Sequence, residues 1–264
     1  MRSTTRPTTA CCTLPQYMGF LISEPKSSTC TRLAEVTGIS HHSANRFLHR
    51  ENYQPKDMYD EAVKTLNPTG GTLSVDDSVL DKPYSYSVAL VGHFWSGKHH
   101  RSVKGINLIT LYYTDLSGLH MPVNYRIYDK SEGKKKTDDF REMLMLKDQH
   151  RHYVVYLPEE VHFERDDFSE IHDQHWQIEQ YHRAIKQVCH IEHFQVRSEQ
   201  PVRNHILAAI LAFVYLQKMQ MAREFMNIYQ HQCELSKETV GAFVEGFAKG
   251  KEHLLPKFAR AINA

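Results

Sequence analysis

The chain has 264 residues, 41% hydrophobic and 24% charged, with 32 Lys and Arg against 31 Asp and Glu. That size and balance exclude a wholly disordered chain and leave room for a buried core in one or two domains. The longest apolar run, Ile206 to Leu216, is too short to span a bilayer, and Met1 to Cys12 lacks the apolar stretch of a secretory signal.

Residues 1 to about 29 are rich in Thr, Ser and Pro and read as loose, although Leu14 to Ile22 has apolar residues to pack. From Thr31 to Arg50 the apolar residues Leu33, Val36, Ile39, Ala44, Phe47 and Leu48 fall at helical spacing. Gly38 suits the turn and Ser40 the cap of a second helix. The pattern predicts a helix-turn-helix that leaves His41, His42, Asn45, Arg46 and His49 free for DNA. A plain helical hairpin has the same pattern. Asn67-Pro-Thr-Gly-Gly71 marks a boundary. Beyond it, Thr72–Asp77, Gly105–Asp115, Met121–Tyr128 and His152–Leu157 read as strands. Thr137–Leu146, Ser169–His190, Pro201–Tyr229 and Lys237–Ala264 read as helices. The expected division is 1–70, 71–195 and 196–264, in an α/β or α+β class.

Charge is unevenly spread. Lys82 to Arg151 holds 12 Lys and Arg against 7 Asp and Glu, His152 to Tyr181 one Arg against 8 acids, and His182 to Arg223 six basic residues against two acids. Basic stretches flanking an acidic one are compatible with a metal site set in a polyanion-binding surface. Cys11, Cys12, Cys30, Cys189 and Cys233 form no C-x-x-C pair, which fits a reducing, cytoplasmic setting.

Two places have the residue types of a reactive site. Asp76-Asp77 comes at the expected end of a strand, where a carboxylate meets a cleft and suits a hard cation; Asp-Asp-Ser is equally a turn. On the helix around residue 180, His175, Glu179, His182 and Lys186 fall on one stripe, with Ile178, Tyr181, Ile185 and Val188 on the core side. Such a stripe can hold a metal and a phosphate, although it also reads as a solvated face with ion pairs. His175-x-x-x-Glu179-x-x-His182 offers zinc donors too, but not in the H-E-x-x-H order.

Three segments in order, Leu73-Ser-Val-Asp-Asp-Ser-Val-Leu-Asp-Lys-Pro83, Phe94-Trp-Ser-Gly-Lys-His-His-Arg-Ser-Val-Lys-Gly-Ile-Asn107 and His175-Trp-Gln-Ile-Glu-Gln-Tyr-His-Arg-Ala-Ile-Lys186, resemble DDE transposases of bacterial insertion sequences. The branch is the one with a Tyr–Arg–Glu–Lys signature, and the resemblance covers about residues 70 to 215. It implies an RNase H-like mixed sheet with helices, two divalent metals (Mg²⁺, with Mn²⁺ as a substitute), and hydrolysis and strand transfer at double-stranded transposon ends. It also admits a homodimer. Asp77 resembles the first catalytic and metal-binding Asp, with Asp76 the weaker candidate. Glu179 resembles the catalytic, metal-binding Glu, and Lys186 the Lys that grips DNA. The signature Tyr and Arg fall on His172 and His175. Arg183, Lys98, Arg101, Lys104 and Arg46 complete the expected DNA contacts.

One part of the pattern is missing. The family carries a second catalytic Asp at the end of another strand, then a mainly β insertion. Here Phe140 to Leu146 runs almost directly into Lys147 to Leu157. Asp115 precedes the helix, and Asp148 lies in a polar link. The expectation is therefore a trimmed, internally deleted transposase with impaired catalysis. The alternative is a non-catalytic DNA-binding remnant that regulates an intact relative.

Overall fold

A computed structural model of the chain describes residues 11–24, 28–144, 165–222 and 227–248. It is a mixed α/β structure with one antiparallel sheet and, among these residues, eight α-helices. Four helices come first: α1 (Leu14–Ser23), α2 (Cys30–Thr37), α3 (His41–Arg50) and α4 (Pro55–Ala62). The strands β1 (Thr72–Asp81), β2 (Gly92–Ser96), β3 (Arg101–Thr114) and β4 (His120–Tyr128) follow. Then come α5 (Lys136–Leu144), α6 (Arg165–Gln187), α7 (Glu199–Met221) and α8 (Ile228–Ala248).

The helical pair expected at Thr31–Arg50 is present. Gly38 takes the left-handed conformation (φ 74°) at the end of α2, a backbone that costs glycine nothing. The Ser40 hydroxyl accepts from the Ser43 amide and caps α3. Ala44, Phe47 and Leu48 are buried, and His41, His42, Asn45, Arg46 and His49 are exposed. The expected strand at His152–Leu157 and the C-terminal part of the expected last helix, 249–264, lie outside the described residues.

The sheet is organised around β3. Strand β1 pairs along one edge, and β2 and β4 pair with successive stretches of the other. Close approach fixes the residue where β1 and β2 both meet β3: a Cβ at Gly105 would sit 2.4 Å from the Leu80 carbonyl oxygen. The sheet has helices on both faces. The even-numbered residues Leu108, Thr110 and Tyr112 of β3 face α6, where the Tyr112 and Tyr181 rings lie 5.2 Å apart. Ile109 and Leu111 face α5 and pack with Met143.

The apolar run Ile206–Leu216 is the middle of α7, buried along nearly its whole length because it is surrounded. Helices α1, α3 and α4 pack on it from the N-terminal region, and α6 and β4 from the sheet side. One hydrophobic core therefore spans all three sequence regions. Among the described residues no helix is long and apolar enough to cross a membrane. All five cysteines are free.

A buried histidine couples this core to pH. His205 on α7 shares a hydrogen bond with the Tyr17 hydroxyl (2.7 Å to Nδ1) and lies 3.2 Å, through Nε2, from the His190 carbonyl. Burial, helped by the charge of Lys82, pushes its pKa down to about 3. Burial also pushes His120 and His190 down. Below its ordinary pKa the unfolded chain binds a proton that folded His205 refuses, so stability falls as pH falls from about 6.5 towards 3. His205 alone costs about 1.4 kcal/mol per pH unit in that window. Unfolding free energies from urea titrations at pH 7 and pH 5 should therefore differ by roughly 2 kcal/mol or more; equal values would contradict a neutral buried imidazole.

Candidate functional site

The site starts with the alternation of β1. Successive side chains of a strand point to opposite faces, so Asp76 and Asp77 part company. Asp76 pairs in register with Thr110 and lies on the α6 face. Its carboxylate stands 3.4 Å from His182 Nδ1 and accepts a 2.8 Å hydrogen bond from the Asp77 amide. Burial pushes the Asp76 carboxyl up, but the His182 imidazole, the Asp77 amide and the charge of His175 more than offset it. The group stays below the usual carboxylate range, ionised at neutral pH.

Asp77 pairs with Ile109 and lies on the α5 face. Its carboxylate accepts from Lys136 Nζ at 2.7 Å and Asn107 Nδ2 at 2.5 Å. The structure thus brings Asp76 to the α6 stripe, while Asp77, the expected catalytic and metal-binding acid, ties β1 to α5. Leu73, Val75 and Val79 share a face with Asp77, whereas Ser74 and Ser78 share one with Asp76.

Helix α6 supplies the opposing stripe. Ile178, Tyr181, Ile185 and Val188 are buried, as their spacing predicts. Glu179 is exposed and lies between His175 and His182, the two residues whose charges act on Asp76. His182 is 7% exposed, and its Nε2 has no partner among the described residues. Lys186 Nζ donates to the Val79 carbonyl (2.7 Å) and pairs with Glu192 (3.4 Å), which pins α6 to β1. His175 and Arg183 are exposed. His172 falls within α6, but its side chain lies outside the description.

Asp115 is spent on its turn. Its carboxylate accepts from the Asn67, Ser117 and Leu119 amides and the Ser117 hydroxyl, at 2.6–3.0 Å. Asp148 lies outside the described residues. Among the described residues, no group of three or more His, Cys, Asp and Glu is placed to hold a metal ion.

Lys82 is a buried residue that sequence reasoning missed. Its ammonium donates to the Glu192 and Phe194 carbonyls and lies over the Phe194 ring. Burial lowers its pKa to about 8, with Glu192 acting the other way. Together with Lys186 it locks the turn after α6 against the end of β1. Lys98, Arg101 and Lys104 lie on the β2–β3 hairpin, with Lys98 Nζ 3.8 Å from Asp81.

Residues 98–215 match the family described as Transposase DDE domain. The matched span runs from the β2–β3 turn through most of α7, so it includes Glu179, His182 and Lys186 but not β1. No curated protein and no solved structure matches the chain.

Proposed function

We propose that the chain is a DNA-binding protein built on an RNase H-like core of the DDE transposase type, with Asp76 and Glu179 as its metal-facing acids and with impaired strand cleavage. The observation that carries this reading is the Asp76–His182 pair. It sets an ionised strand acid, which lies before the span that matches the transposase domain, against the α6 stripe within that span. Asp76 takes the role expected of Asp77, because Asp76 meets His182 on α6, the helix of Glu179, whereas Asp77 meets Lys136 on α5.

Two carboxylates on one face suit a hard dication such as Mg²⁺ or Mn²⁺. Bound there, it would supply Lewis-acid stabilisation to a phosphate oxygen. Two adjacent dications need more carboxylate charge than this pair provides. Asp76 and Glu179 therefore hold one metal and leave the second poorly placed. A misplacement of about 1 Å costs on the order of 10²-fold in rate. His172 and His175, in place of Tyr and Arg, lack the fixed planar cation that grips phosphate bidentately. A chain so equipped occupies DNA ends without cutting them and competes with an intact relative.

The exposed cations Arg46, Arg183, Lys98 and Arg101, with the half-buried Lys104 and with His175, contact phosphates; Lys186 positions the stripe. DNA flanking the chain's own gene, incubated with purified protein and Mg²⁺ or Mn²⁺, should be bound but not nicked. Binding should weaken steeply with salt as counterions are released. Nicking that disappears in Glu179→Gln would contradict the impairment, and salt-insensitive or absent binding would contradict the DNA-binding reading.

A further inference from the structure

The segment from Lys82 to Lys104 contains no Asp or Glu, but it has four Lys or Arg, three His and the aromatics Tyr84, Tyr86, Phe94 and Trp95. Its apolar residues are sorted. Val88, Leu90 and Val91 pack inward on the core, and Phe94 is buried. Tyr84, Tyr86 and Trp95 stay outside, at 88%, 94% and 65% exposure. Here only flat rings remain, set among cations.

Register places His93, Trp95, Ser102 and Lys104 on one surface. Trp95 pairs with Ser102 and His93 with Lys104, and directly opposed residues share a face. Lys104 Nζ lies 5.0 Å from the Tyr86 ring centroid, which brings the 83–91 strap to the same face. That is also the face of Thr110 and Asp76, six residues or about 20 Å along β3. Lys98 and Arg101 flank the hairpin turn.

We propose that Tyr86 and Trp95 form a stacking platform for unpaired DNA bases, with Lys98, Arg101 and Lys104 neutralising the adjoining phosphates. Rings stack on any base, and a cationic groove follows the backbone, the combination used by proteins that bind single strands. The inference rests on the chain acting on DNA and specifies the strand form it takes.

The test uses the full chain with labelled oligothymidylate of about 20 bases and a duplex of equal length. Oligothymidylate should quench Trp95 fluorescence. Trp95→Ala and Tyr86→Ala should each weaken its binding roughly 5- to 100-fold and change duplex binding by less than about two-fold. Trp95→Phe, which keeps a ring, should stay near the parent. Both positions are exposed, so thermal midpoints should not move. Failure of the parent to bind oligothymidylate, Ala variants that bind it like the parent, or equal losses on both DNAs would overturn the platform. Loss confined to oligothymidylate, in a chain indifferent to its flanking DNA, would retain the platform and refute the transposase reading.

Discussion

Asn204→Leu is expected to destabilise the fold by about 3–5 kcal/mol, although Leu is apolar and nearly the same size. Asn204 is fully buried on α7. Its Nδ2 donates to the Leu48 carbonyl at 2.7 Å and the Glu51 carbonyl at 2.6 Å, and its Oδ1 accepts from the Tyr53 amide at 3.2 Å. These are the end of α3 and the chain just beyond it, where a helix leaves carbonyls without intrahelical donors. Each buried group left unsatisfied costs about 1–3 kcal/mol. Domains are stable by only about 5–15 kcal/mol, so the variant should unfold at a midpoint roughly 10 °C lower. Thermal melting monitored by circular dichroism reads this directly. A midpoint unchanged from the parent would mean that α3 is held by its apolar face alone.

That clamp shows where sequence was informative and where it was not. The α2–α3 pair was legible because its signals are local: Gly38 at a left-handed cap, Ser40 at an N-cap, and Ala44, Phe47 and Leu48 at helical spacing. The attachment of α3 to Asn204, across 156 residues, leaves no such trace. Helix α1 forms where composition predicts loose chain, and it carries a capping box, in which Thr13 and Gln16 bond each other's amides and Pro15 sits in the first turn. The Thr- and Ser-rich surroundings hid it. Strand β2 has only five residues and exists because β3 is long enough to pair with it. The expected helix Pro201–Tyr229 ends earlier, at Met221, and α8 starts at Ile228, before the expected Lys237.

The site was half legible. The stripe and core face of α6 follow from its period, and both are present. The sequence alone does not show which helix each of Asp76 and Asp77 meets, because both faces of β1 are covered by helices. A residue's direction on such a strand depends on which helix lies where, and that is set by tertiary packing.

The largest functional effect should come from that same pair. Replacing Asp76 by Asn would remove one of the two anionic ligands proposed for the metal, but would keep the shape and one acceptor oxygen for His182. Even outer-shell partners of a metal site are worth about 10–100-fold in affinity, and a direct carboxylate ligand should be worth at least that. Asp77→Asn removes the charge that pairs with Lys136 on the other face, a half-exposed ion pair of little energetic weight. The decisive measurement is Mn²⁺ binding, followed by the loss of free-ion paramagnetic signal, in the parent, Asp76→Asn, Asp77→Asn and Glu179→Gln. Losses of about 10–100-fold or more are expected for Asp76→Asn and Glu179→Gln, with near-parental affinity for Asp77→Asn. A loss in Asp77→Asn with Asp76→Asn unchanged would contradict the proposed metal-facing role of Asp76.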